Sequence, residues 1–177
     1  KTLVNYILQT PFRRQGAKFS KFNKILQHAY EIHKERRTSL RLGTLQHVLS
    51  LALIEDKIHL DQIRNPILVI GDGYGIMSSL LLSYLCHLKV KVVVVNLTQN
   101  LLIDAVFIKK SVPFANICLV KNSLDYHKAL KDSEVNVICI QADNARLISG
   151  EAIGLAINIS SMQEMNPPII AEYFHFI

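Results

Sequence analysis

The sequence predicts an α/β fold in which a helical prelude leads into a parallel sheet. Two observations carry this. From Pro66 onward, short unbroken runs of Val, Ile and Leu alternate with segments of helical periodicity, and strands of that kind belong to sheets covered on both faces. Before Pro66 the apolar residues recur at spacings of three and four, as one face of an amphipathic helix requires.

In the prelude, between about Phe19 and Lys57, Phe22, Ile25, Leu26, Ala29 and Ile32 form one such series. Leu45, Val48, Leu49, Ala52 and Leu53 form a second, with Gly43 and Thr44 expected to separate the two helices. The charged stretch EDKIHLDQIRNP then connects to the first strand. ILVIG, VKVVVVNL, NVICIQ and GLAINI read as buried strands, and ANICLVKN as a further one. SSLLLSYLCHL lies between the first two. After the second comes TQNLLIDAVFIKKSVP, with a cap expected at Thr98 or Asn100, Lys109 and Lys110 where a helix C-terminus favours cations, and Pro113 as a stop. The alternation is βαβ, which makes the strands parallel. The domain organisation expected is a helical segment over residues 1–62, packed on a sheet domain over residues 63–177. The sequence contains no internal repeat and no low-complexity tract.

A chain of 177 residues and 20.0 kDa, half of it hydrophobic, has the material for one domain with a sizeable core. Its apolar runs fall short of the roughly 18 to 20 residues that cross a bilayer, and its N-terminus does not read as a secretory signal. A soluble, cytoplasmic protein without membrane insertion is the expectation. Cys86, Cys118 and Cys139 form no C-x-x-C pair and each sits in an apolar run, which reads as three reduced, buried thiols and argues against disulfides and zinc. The seven histidines show no H-x-x-x-H pair, so no metal is expected.

The net charge of +6 is uneven: Lys1 to Leu60 carry eleven Lys or Arg against four Asp or Glu, and the remainder nine against ten. Arg13, Arg14, Lys18, Lys21, Lys24, Lys34, Arg36, Arg37 and Arg41 can attract a phosphate-bearing substrate, a nucleic acid or an acidic partner. Their interleaving with apolar residues favours the plainer reading of a solvated helical face. The sequence lacks an aromatic-rich surface for nucleic acid, and that partner is not expected.

The stretch PILVIGDGYGIMSSL carries three of the chain's seven glycines within five positions, at Gly71, Gly73 and Gly75. In a strand–loop–helix unit this turn lies at the carboxyl ends of the strands, where open α/β sheets bind ligands. Glycine there permits positive φ and lets a ligand approach the main chain without meeting a Cβ. The loop is read as a cofactor floor made of Gly71, Asp72, Gly73, Tyr74 and Gly75. The dinucleotide fingerprint counted from Gly71 fails at Ile76, and the register Gly73, Gly75, Ser78 is a weaker match that keeps an NAD(P)-dependent oxidoreductase as an alternative. G-x-G-x-G is instead the pattern of S-adenosylmethionine enzymes, and no lysine follows as a P-loop needs. At the end of the second strand, Asn96 with Leu97 beside it stands where a residue reaching the ribose hydroxyls is expected.

ILVIGDGYGIMSSLL, VVVVNLTQNLLIDAVFIKKSVP, NVICIQADN and INISSMQEMNPPIIAEYF together resemble the sugar O-methyltransferase family of class I S-adenosylmethionine-dependent enzymes, over Pro66 to Phe174. The resemblance implies a Rossmann-like, doubly wound, mainly parallel sheet of seven strands, S-adenosylmethionine as methyl donor and a saccharide hydroxyl as acceptor. Such enzymes usually carry an acidic residue two positions before the first glycine, where this chain has Val69. The sequence after GLAINI is short for the usual closing strands, so C-terminal strands are expected to be missing and a sheet edge exposed, on which copies of the chain can associate. These two departures keep a non-catalytic Rossmann-like binding module as a further alternative.

The resemblance also implies Asp143 and Asn144 facing the adenine. Methyl transfer to a hydroxyl needs a base, and SSMQEMNPP offers Glu164 ahead of a helix begun by Asn166 and Pro167. The assignments are Glu164 as base or acceptor carboxylate, Ser160 toward the cofactor, and Ser161 and Gln163 toward the acceptor. Met162 and Met165 are expected to pack on the sheet. An ordinary loop glutamate at Glu164 and an ordinary turn at Asp143 and Asn144 are the plainer readings.

Overall fold

The computed structural model describes residues 2–148 and 153–177. Three helices open it: α1 (Thr2–Gly16), α2 (Phe22–Glu35) and α3 (Leu42–Ile58). A βα succession follows: β1 (Ile67–Ile70), α4 (Ile76–Tyr84), β2 (Val92–Asn96), α5 (Thr98–Ser111), β3 (Ile117–Val120), α6 (Ser123–Lys131) and β4 (Val137–Gln141). Last come β5 (Leu155–Asn158) and α7 (Pro167–Phe176), with 3-10 turns at Ala142–Leu147 and Ser161–Glu164 following β4 and β5.

Among the described residues the five strands form one sheet, all parallel, in the order β3-β4-β2-β1-β5. The α/β class, the helical prelude and the parallel pairing agree with the sequence. The order does not match the 3-2-1-4-5 succession of the usual doubly wound sheet, because β4 sits between β3 and β2. The strands described are also fewer than the seven that the resemblance implies.

Pleating divides each strand between two cores, since successive side chains face opposite ways. Ile67, Val69, Val92, Val94, Val137 and Cys139 pack with Ile25 of α2, Leu45 and Leu51 of α3, Leu80 of α4 and Ile108 of α5. Leu68, Ile70, Val93, Val95, Ile138 and Ile140 meet Tyr126 and Ala129 of α6, Ala145 and Ile148 after β4, and Tyr173 of α7. A fully buried Val, Ile or Leu contributes about 1.5–3 kcal/mol, so strands apolar on both sides are what this three-layer packing demands.

Local details depart from the sequence reading in four places. The α2–α3 break does not fall at Gly43 and Thr44, which lie in the first turn of α3. It comes earlier, where Arg37 takes a left-handed φ of 52° and His33 bonds the Thr38 and Thr44 hydroxyls across the loop at 2.7 and 2.9 Å. Neither Thr98 nor Asn100 caps α5: Leu97 holds the capping position and no side chain bonds there. Leu53 is exposed, and Leu51 takes its place in the core. Of the cysteines only Cys139 is buried; Cys118 is half-buried and Cys86 exposed. Other signals hold. Asn166 and Pro167 start α7, although the Asn166 side chain makes no capping bond. Lys109 and Lys110 occupy the last turn of α5, and Lys109 Nζ donates to the Pro113 and Ala115 carbonyls at 2.9 and 2.7 Å. No helix among the described residues is long and apolar enough to cross a membrane.

Candidate functional site

β1 has β2 on one side and β5 on the other, and the chain reaches them in opposite directions along the sheet. Such a switch point opens a crevice outside the carboxyl ends of the strands. The glycine loop fills the first turn there, and four of its five residues are left-handed: Gly71 (φ 65°), Gly73 (55°), Tyr74 (66°) and Gly75 (64°). Only glycine adopts this region freely.

The three glycines serve different ends. A Cβ on Gly71 would lie 2.3 Å from Ser161 Oγ, and one on Gly75 would lie 2.9 Å from the Asp104 carbonyl oxygen and 2.8 Å from Ile108. Those two let β1's end approach the loop after β5, and α4 approach α5. A Cβ on Gly73 would meet nothing within 4 Å. Its bare backbone faces open space.

Asp72 is buried and caps α4 from outside the helix. Its Oδ1 accepts from Met77 N–H at 2.7 Å and its Oδ2 from Ser78 N–H at 2.8 Å. Gly75, left-handed and without a side chain, holds the capping position itself and cannot do this. Burial pushes the Asp72 carboxyl above its ordinary value, against the hydrogen bonds from Ser78 and Met77. A second carboxylate lies nearby: Asp104 of α5 is wholly buried, and Asn96 Nδ2 donates to its Oδ2 at 2.7 Å. Its Oδ1 has no partner at hydrogen-bond geometry, although the Gly75 and Tyr74 amides lie near enough to favour the ionised form. Burial first, and then the charge of Asp72, raise the Asp104 carboxyl to about 6, against the bond from Asn96. The remaining Asn96 oxygen accepts from Leu97 N–H at 2.9 Å.

The opposite wall follows β5. Asn158 Nδ2 donates to the Ile70 carbonyl at 3.0 Å and also bonds Ser161 Oγ, which itself donates to Ile70 O at 3.0 Å. This network ties the ends of β1 and β5 together. Ser160, just before the turn, is left-handed at φ 70° without being glycine, a conformation that costs about 1–3 kcal/mol and concentrates at functional sites. The register Asn96↔Gln141 brings the β4 end alongside β2.

Between these walls lies a cavity of about 810 Å³, within the size range of small-molecule sites. Gly71, Asp72, Gly73, Asn96, Leu97, Asp143, Ser160, Ser161 and Glu164 all line it, so most of the residues singled out in the sequence converge on one hollow. Tyr74, Gly75, Asn144 and Gln163 are not among its lining residues. Tyr74 turns instead to the Phe107 ring, edge-on with centroids 5.7 Å apart.

Sequence reasoning missed the contributions of α3 and α7. His47 of α3 lines the cavity, with its Nδ1 buried and unpartnered, and burial lowers its pKa to about 4, so it is neutral at pH 7. Glu172 and Tyr173 of α7 also line it, and Glu172 pairs with Arg146 after β4. Ile169, Glu172 and Tyr173 share a helix face at spacings of three and four, a pattern that marks a face without saying what it looks onto. Among the described residues no group of three His, Cys, Asp or Glu side chains is arranged to hold a metal ion.

The cavity has open, Cβ-free backbone at Gly73 and more carboxylates than cations in its lining. Comparison with family models, with curated proteins and with solved structures found no match to the chain.

Proposed function

We propose that the chain is an S-adenosylmethionine-dependent O-methyltransferase acting on a saccharide hydroxyl. The observation that carries this reading is the charge around the glycine loop. Asp72, Asp143, Glu164 and Glu172 line the cavity against Arg146, itself paired to Glu172, and Asp104 lies beneath. Such a field draws in a ligand of net positive charge, and S-adenosylmethionine carries a sulfonium and an ammonium against one carboxylate.

A nicotinamide dinucleotide suits the site less well. Its pyrophosphate binds at free amides of a helix N-terminus, and in α4 the Met77 and Ser78 amides are taken by Asp72. The acidic lining adds repulsion.

When bound, S-adenosylmethionine supplies an electrophilic methyl group for in-line attack by an acceptor hydroxyl. Gly73 seats the adenosyl group on bare backbone. Asn96 offers a ribose hydroxyl its Oδ1, the amide being held by Asp104, and Asp143 accepts from the adenine amine. Ser160 and Ser161 orient the reacting groups, and most of the rate comes from that alignment. Glu164, exposed at the rim, accepts the hydroxyl proton.

The test is incubation with methyl-labelled S-adenosylmethionine and a panel of saccharides. A labelled methyl ether is expected, and Glu164→Gln should slow its formation by about 10²-fold or more while donor affinity is unchanged. Donor binding without transfer to any hydroxyl would overturn the transferase reading.

A further inference from the structure

His47 of α3 lines the cavity with the glycine loop and takes no part in the steps above. Its two ring nitrogens differ. Nδ1 is closed to solvent without a hydrogen-bond partner, whereas Nε2 is unbonded but not closed off, so Nε2 is the nitrogen that the ring presents to the hollow. Burial keeps the imidazole neutral at pH 7, and it then carries one proton. On Nδ1 that proton would be a buried donor without an acceptor, the rarer and costlier kind of orphan. On Nε2 it faces the cavity. The ring is therefore an uncharged N–H donor in a wall otherwise rich in carboxylates.

The order of the sheet says which part of a ligand meets it. Asp143 follows β4, Asn96 ends β2 and the glycine loop follows β1. With the adenine and ribose over the first two, the rest of the methyl donor continues over β1 towards β5. From β4 to β5 is three strand spacings, about 14 Å, which leaves room for an amino-acid tail beyond the ribose. α3 reaches that end. It leads through Leu60–Gln62 to the amino end of β1, so its early turns, with His47, rise to the carboxyl ends where the cavity opens. Ile159, after β5, packs against the same core as Val48 of α3.

We infer that His47 Nε2–H binds the carboxylate of the methyl donor's amino-acid tail at the β5 end of the cavity. This assignment rests on the methyltransferase reading. The carboxylate is the one anionic group of S-adenosylmethionine, and in an acidic hollow it needs a donor that adds no negative charge. Arg146 stands at the other end, after β4, and is paired with Glu172. A hydrogen bond to an ionised group is stronger than one between neutral groups, and here it also fixes the ligand's direction, adenine over β4 and carboxylate towards β5.

Calorimetric titration with S-adenosylmethionine and with its decarboxylated form, which keeps the sulfonium and the ammonium, tests this. His47→Leu should bind S-adenosylmethionine about tenfold or more weakly than the parent does, and the decarboxylated form as the parent does. His47→Gln, whose amide nitrogen reaches the place of Nε2, should recover most of the loss. His47→Leu should melt at the parent's temperature or higher, since it replaces a buried unpaired nitrogen by apolar atoms. Equal S-adenosylmethionine affinity in parent and His47→Leu, an equal loss for both ligands, or no recovery in His47→Gln would overturn the assignment and leave the methyltransferase reading standing. A parent that binds neither ligand would overturn both.

Discussion

At the scale of single residues, the glycine loop separates packing from binding. Asparagine tolerates left-handed backbone, so Gly73→Asn should keep stability within about 1 kcal/mol while its side chain enters the space that an adenosyl group needs. At least a tenfold loss of S-adenosylmethionine affinity by calorimetry is expected. Gly75→Ala should do the reverse, costing about 2–4 kcal/mol in urea denaturation because its Cβ meets the Asp104 carbonyl. Asp104 gives a pH signature. Its carboxyl, ordinarily at 3.8, is raised to about 6, so between those values the folded chain keeps a proton that the unfolded chain has lost. Stability from this group is full below about pH 4, falls as pH rises to about 6, and is flat above. Asp104→Asn, which can still accept from Asn96, should therefore gain stability relative to the parent across that window, measured by denaturation at several pH values. The three glycines were legible because bare backbone at alternate positions has few other uses. That only Gly73 faces open space was not, because Gly71 and Gly75 owe their identity to Ser161 and Asp104, both distant in sequence.

At the scale of elements, strands and long helices could be read because each carries its own pattern. VVVVN must be buried on both sides, and the three-and-four spacing of α2 selects the face that reaches the core. Helix ends could not be read as well. The rule that a Ser, Thr, Asp or Asn caps the helix it begins points to Thr98 or Asn100, yet α5 starts behind Leu97, and α4 is capped by Asp72 from upstream of its own capping position. A left-handed glycine loop turns the chain back on itself, so a side chain before the loop meets amides after it. Asp72→Ala should cost about 1–3 kcal/mol by leaving two amides of α4 without an acceptor. An unchanged urea midpoint would show that the cap is idle.

At the scale of the whole molecule, the parallel sheet was legible and its order was not. The alternation of apolar runs with helices fixes the direction of the strands, but β4 between β3 and β2 is a matter of pairing between segments that look alike in sequence. The consequence for the site is direct: β4 beside β2 aligns Gln141 with Asn96 and carries Asp143 to the cavity. The α3 and α7 walls were hidden for the same reason, since His47 and Glu172 meet the loop only once the layers have assembled. What the assembled molecule offers is an acidic hollow over open backbone, which the methyltransferase proposal fills with a cationic adenosyl ligand. Calorimetric titration of the parent with S-adenosylmethionine and with NAD tests this most directly. Saturable binding of S-adenosylmethionine with none of NAD is predicted; NAD binding in its place would contradict the account.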